Sequence, residues 1–197
     1  MAELTSLSDN QLVGLYLKGN NEAFDVLLHR HESKVFTYIM YTVKNRELAE
    51  DLFQDVFIRI ITRLRAGTYT EAGKFGAWLM RVTHNAILDY YRTSKDGYTV
   101  SQDGGDTDFT NTVAFADSCN VESEMIDRQT LDELKSLIAL LPPTQREAII
   151  LRFYNELSFK EIADITGVSI NTALGRIRYA ISNLRQLAIE HNVILAS

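Results

Sequence analysis

Residues 96 to 127 contain eight aspartates and glutamates and no lysine or arginine, and this one stretch divides the chain. The blocks on either side of it each carry a net charge of +1, so the total of -6 lies in the middle and says little about either flank. The stretch opens at Asp96-Gly97 and runs through Asp103-Gly104-Gly105-Asp106-Thr107-Asp108, with no sustained apolar period before about Val121. Glycine, serine, threonine, asparagine and aspartate offer little to bury and much to solvate. A connection longer than ~12 to 15 residues is uncommon inside one compact domain. The expectation is a flexible acidic linker over 96–127 joining a domain at 8–95 to a second at 128–190. A solvated surface loop is the alternative.

The rest of the composition narrows the class. In 197 residues the chain is 46% hydrophobic and has two prolines, which opposes disorder over its length. Cys119 is the only cysteine, so an intrachain disulfide or a thiolate metal site is excluded. No run approaches the ~18 apolar residues of a membrane span. Met1-Ala2-Glu3-Leu4 lacks the basic-then-apolar order of a signal peptide. These features predict a cytoplasmic protein without direct membrane contact.

Both flanks read as helix. Phe24, Leu27, Leu28, His31, Val35, Phe36 and Ile39 recur at three and four, and Leu48, Leu52, Val56 and Ile60 recur at four. A third helix is expected from about Lys74 through Tyr91. The second of these carries an acid cluster, Glu47, Glu50, Asp51 and Asp55. Asp51 and Asp55 share a helix face. That face reads first as solvated surface, next as a dock for a basic partner, and last as acid–base machinery.

Residues 65 to 95 differ in kind. Arg65, Lys74, Arg81, Arg92 and Lys95 stand against only Glu71 and Asp89, with Tyr69, Phe75, Trp78, Tyr90 and Tyr91 interleaved. Cations hold phosphates and aromatic rings stack on unstacked bases. Trp78, between Phe75, Leu79 and Val82, also fits a core position. Tyr90 and Tyr91 point about 100 degrees apart, so at least one faces solvent or a ligand.

The second flank holds the most specific local pattern. An apolar stripe from Leu131 to Leu141 ends at Pro142-Pro143, where a new helix should open. Asn155-Glu156 break it. Ser158 and Glu161 form a capping box, Gly167 marks a stop, and Ser169 can cap a longer helix over about Ile170 to Leu187. Short helix, glycine turn and longer helix make a helix-turn-helix. Between Ile165 and Ile189 there is no acidic residue, but Arg176, Arg178 and Arg185 are present. Ser169, Asn171, Thr172, Arg176 and Arg178 are the expected duplex contacts. An ordinary helical hairpin with exposed arginines is the bland alternative.

The order of these fragments resembles a bacterial RNA polymerase sigma factor of the sigma-70 family, in its extracytoplasmic-function (ECF) group. The resemblance rests on Ala49-Glu50-Asp51-Leu52-Phe53-Gln54-Asp55-Val56-Phe57, on the run from Phe75-Gly76-Ala77-Trp78 to Asp89-Tyr90-Tyr91-Arg92, and on Leu140-Leu141-Pro142-Pro143-Thr144-Gln145-Arg146-Glu147-Ala148. It extends through Leu157 to Ala163, Gly167-Val168-Ser169, Thr172, Arg176 and Ile177. It covers nearly all of the chain apart from the acidic stretch.

The resemblance implies an all-α fold of two small helical domains, the second with the helix-turn-helix. It implies that Asp51, Gln54, Asp55 and Phe57 bind the polymerase core. It places Arg65, Lys74, Trp78, Arg81, Asn85, Asp89, Tyr90 and Arg92 at the minus-ten element, with loop 65–73 holding an extruded base. It gives the minus-thirty-five element to the second domain, and the acidic linker a path through the polymerase. RNA polymerase core and promoter DNA are the implied partners; an anti-sigma factor, often membrane-bound in the group, is a further one. No cofactor, metal or catalytic residue is implied. Two departures stand out: Leu174 where many relatives have a basic residue, and Gly175 before Arg176. The competing readings are a stand-alone helix-turn-helix regulator and a helical interaction protein. An enzyme is the least expected, since His29, His31, His84 and His191 are scattered and no nucleophile–base set appears.

Overall fold

Capping signals and three–four apolar spacing account for most of the helices in the computed structural model of the chain. It describes residues 2–70, 73–94, 123–191 and 193. Among these there is no strand. Two compact units emerge, Met1–Asp103 and Gly104–Ser197. Residues 95–122, most of the acidic stretch, lie outside the described residues, and so does the linker expectation that falls on them.

The first unit contains α1 (Ala2–Thr5), α2 (Asp9–Leu17), α3 (Asn21–Val43), α4 (Arg46–Arg65) and α5 (Phe75–Ser94). Asn20 and Asn45 each cap a helix, accepting from the amides of Ala23 and Leu48. Helix α3 stops at Lys44, whose φ of 53° is left-handed. The predicted stripes are the buried ones. Leu27, His31, Val35 and Ile39 face inward from α3, and Leu52, Val56 and Ile60 from α4. Helix α3 packs on α2, α4 and α5. Fully burying each large aliphatic side chain stabilises the unit by about 1.5–3 kcal/mol.

His31 is buried because its ring sits 5.4 Å from that of Phe75 and its Nε2 lies 2.9 Å from Asp9 Oδ2. Arg30 donates to the other oxygen of Asp9 and to the carbonyls of Thr5 and Leu7. These bonds fasten the start of α2 to α3. Burial alone would raise the Asp9 carboxyl pKa, but the His31 hydrogen bond and charge, with those of Arg30, bring it below the ordinary value. A depressed carboxyl contributes stability above its unfolded pKa and loses it as pH falls through the folded one. Asp9→Asn should therefore melt earlier than the parent at neutral pH. The gap should close below about pH 4, where free carboxyls protonate. Thermal melts of both proteins across that range check it.

The second unit contains α6 (Ser123–Leu140), α7 (Pro143–Ile149), α8 (Phe159–Thr166) and α9 (Ile170–Glu190). Helix α6 begins inside the 96–127 stretch. Pro143 sits in the first turn of α7, as its fixed φ favours. Past Ile149 the chain does not simply continue: Ile150–Tyr154 form a π-helical turn, closed by the Asn155 amide on the Ile150 carbonyl at 3.0 Å. Glu156 follows with φ of 59°. That turn was invisible to sequence pattern, which showed only the break at Asn155-Glu156.

Helices α8 and α9 follow the sequence signals closely. Ser158 and Glu161 form the reciprocal capping box, Gly167 stops α8 at φ 67°, and Ser169 caps α9 by accepting from the Thr172 amide. A cap of this kind stabilises its helix by about 1 kcal/mol. Helix α9 packs Ala173, Ile177 and Ala180 inward, against α7 and α8.

Candidate functional site

Helix α4 turns Ala49, Leu52, Val56, Ile60 and Leu64 into the core, so its acidic residues must face outward. Glu47, Asp51 and Gln54 are exposed on one strip, and Ile58 continues it at 63% exposure. A large apolar side chain left among carboxylates suits a partner surface better than bulk water. Asp55 is at the flank of the strip and accepts from Arg59 Nε at 2.7 Å. Phe57 is half-buried, its ring 4.8 Å from that of Phe53, which meets Phe36 edge-on at 5.8 Å. Of the four core-binding candidates, Asp51 and Gln54 are open, Asp55 is paired, and Phe57 is packed on a different flank. Ile58 escaped the sequence reading because an apolar residue in a helix defaults to the core.

Helix α5 has two unlike faces. Phe75, Leu79, Val82 and Ala86 are buried. Arg81, Asn85, Leu88 and Arg92 recur at four, three and four on the opposite side. Asn85 and Arg92 are exposed and Arg81 is half-buried. Asp89 lies at the edge of this stripe. It accepts from Arg59 Nη1 of α4 at 2.8 Å and faces Arg92 Nη1 at 3.7 Å. The hydrogen bond from Asp89 heads the causes that raise the Arg59 pKa above its ordinary value, with Asp55 contributing. Tyr90 is 39% exposed, while burial raises the pKa of the half-buried Tyr91 phenol. Between α4 and α5 runs an open cleft of about 570 Å³, lined by Glu47, Asp51, Asp55, Arg59 and Asp89 among others.

The loop between α4 and α5 is tied at both ends to α2. Arg65 Nε donates to the Tyr16 hydroxyl at 3.0 Å, and Tyr69 donates to Asn10 Oδ1 at 2.7 Å. The Tyr69 ring meets Trp78 edge-on at 5.0 Å and Phe75 at 5.6 Å. Trp78, one of the minus-ten candidates, is 6% exposed and belongs to this aromatic core, with no ring face open to a base. Lys74 is exposed, and residues 71–72 lie outside the described residues.

In the second unit α9 presents Asn171, Gly175, Arg178, Ser182 and Arg185 on successive turns of one stripe. Asn171, Arg178 and Arg185 are exposed, Arg176 is half-buried beside the stripe, and none of the three arginines has a partner among the described residues. Ser169 and Thr172 hydroxyls lie 2.9 Å apart, engaged in the cap. A Cβ on Gly175 would meet nothing within 4 Å, so packing does not require glycine there and the helix surface stays low for a close neighbour. Tyr179, 69% exposed next to Arg178, is a further open side chain that charge reasoning passed over.

Among the described residues no group of His, Cys, Asp or Glu is placed to hold a metal ion, and no helix is long and apolar enough to cross a membrane.

Two family models match the chain: Sigma-70 region 2 over residues 27–96 and Sigma-70, region 4 over residues 131–180. RNA polymerase sigma factor CarQ of Myxococcus xanthus is 33% identical over 172 residues, covering 86% of this chain and 91% of CarQ. RNA polymerase sigma factor SigZ of Bacillus subtilis is 30% identical over 151 residues, 77% of this chain and 78% of SigZ. ECF RNA polymerase sigma factor BldN of Streptomyces coelicolor is 31% identical over 158 residues, and the match spans 57% of the length of BldN. Among solved structures, CnrH in complex with the cytosolic domain of CnrY gives a TM-score of 0.59 at 22% identity, covering 92% of this chain and 97% of that one. The sigma factor RpoE of Bartonella quintana, solved with the anti-sigma factor NepR, gives 0.58 at 21% identity, covering 83% and 95%. At those identities the two structures speak for the fold.

Proposed function

The chain belongs to the sigma-70 family of RNA polymerase sigma factors, in its ECF group, and from that premise we propose a division of labour between its two units. The protein directs RNA polymerase to promoters. Its first unit docks on the core through α4, with Asp51, Gln54, Asp55 and Phe57 as contacts and Ile58 added to them. Exposure of the acidic strip supports this, because fixed carboxylates around an apolar centre register a basic partner helix.

The α5 stripe of Arg81, Asn85 and Arg92, flanked by Arg65, Lys74, Asp89 and Tyr90, takes the minus-ten strand. Trp78 serves it by positioning Tyr69 and the 65–73 loop, which holds the extruded base. The α9 stripe takes the minus-thirty-five duplex, with Asn171 and Arg178 foremost and Ser169, Thr172 and Arg176 beside them. Domains at 8–95 and 128–190 joined by the acidic linker give avidity when both elements are correctly spaced. Polymerisation chemistry stays with the core, so the protein works where polymerase works, in the cytoplasm. An anti-sigma factor that covers these surfaces is the natural brake.

The observation that carries the reading is the succession of region 2 and region 4 in one chain, each on its own helical unit. A stand-alone regulator would have no use for the open α4 strip. Run-off transcription with purified core tests the difference. Core plus this protein should yield discrete promoter-specific transcripts where core alone yields none. Tight duplex binding without core, and no specific transcript with it, would sink the proposal.

A further inference from the structure

Arg59 sits between two carboxylates to which the proposed function gives different partners. Its Nε binds Asp55, one turn back on α4, at 2.7 Å, and its Nη1 binds Asp89 on α5 at 2.8 Å. The side chains of Arg59, Asp55 and Asp89 are 33%, 45% and 49% exposed, so both pairs stand at the edge of water, where a competitor can exchange with either. The cleft they line also carries Glu47 and Asp51, and Arg59 is the only cation among its described lining residues.

We infer that Arg59 is a positioning residue that couples polymerase docking to the promoter face, by giving up Asp55 to a polymerase cation and turning its charge to Asp89. The physical steps are short. A basic group arriving at Asp55 competes with Arg59 for the same oxygens. The guanidinium cannot shed its charge, so its remaining acceptor is Asp89. There it neutralises a carboxylate that shares a helix edge with Asn85 and Arg92. An uncompensated carboxylate at that edge repels nucleic-acid phosphates, and a compensated one does not. Docking on polymerase thus favours strand binding on α5, and the strand must favour docking by the same factor. This rests on the assignment of α4 to polymerase and α5 to the minus-ten strand.

The test uses full-length protein, purified core and a single-stranded oligonucleotide of the non-template minus-ten region of a promoter mapped by run-off. Affinity for core is measured with and without saturating oligonucleotide, and the ratio reports the coupling. Arg59→Gln should shrink the ratio by roughly two- to fivefold, the range that half-exposed ion pairs carry. Arg59→Lys, which keeps the charge but cannot span both carboxylates, should shrink it less, and it carries the test if the glutamine variant melts early. In an Asp89→Asn background, Arg59→Gln should change the ratio no further. An unchanged ratio in both Arg59 variants, or an equal loss without Asp89, overturns the inference. Failure of the underlying assignment shows separately: Asp51→Ala, which leaves Arg59 untouched, would then have no effect on core affinity.

Discussion

Alanine at both Arg176 and Arg178 should lower run-off transcription from a promoter with an intact minus-thirty-five element by roughly 10- to 100-fold. Each side chain is open to a nucleic acid, without a partner among the described residues, on a helix with no carboxylate between Ile165 and Ile189. Loss of one phosphate or base contact commonly costs about 1–3 kcal/mol. The two contact types separate by a second measurement. If both arginines hold phosphate, the logarithmic salt slope of promoter binding falls by about two and the loss is uniform across sequences. If either reads a base edge, discrimination at that position relaxes instead. Arg178 is exposed, so its truncation leaves the fold intact. Arg176 is half-buried, and its stem also packs, so circular dichroism melts accompany the assay. Full transcription from the double variant would remove α9 from the promoter altogether.

Val56→Asp should unfold the first unit and leave the second standing. Val56 is 0% exposed at the middle of α4, where α3 and α5 close over the helix. A carboxylate there has no designed partner, and a buried unpaired charge exceeds the few kcal/mol by which small domains are stable. Hydrogen exchange read by mass spectrometry gives the answer by segment. Amides of α3, α4 and α5 should lose protection while those of α7, α8 and α9 keep theirs. Collapse of protection in both units together would mean that they fold as one body. Binding to core should vanish with the first unit, since the α4 strip exists only when the helix does.

Much of this architecture could be read before any coordinates, because the signals were local. Caps, prolines and glycine stops act over four residues, so Ser158, Glu161, Gly167 and Ser169 announce the helix-turn-helix without reference to anything distant. The α3 and α4 stripes were legible for the same reason: one helix face reports its own burial. What the residues could not reveal was every relation between helices. Asp55 and Arg59 stand four apart and form a visible pair, but nothing in the spacing brings Asp89, thirty positions on, to the same guanidinium. Asp9, Arg30 and His31 likewise meet only through packing of α2 on α3. Trp78 shows the opposite failure. Its family position suggested a contact, while its apolar neighbours suggested the core, and packing decided for the core.

The widened turn at Ile150–Tyr154 has a consequence for chain length. A π-turn holds one residue more than the straight helix needs. Excising one of the five would let ordinary i−4 bonding resume, yet everything after it would swing by about 100 degrees around the axis. The capping serine, the glycine stop and the whole arginine stripe would then leave their register with Leu151 and Leu157 beneath them. Indels in this five-residue window are therefore a more severe perturbation than point changes at the same sites, and related chains that lack the extra residue must reach the DNA-facing orientation by another route.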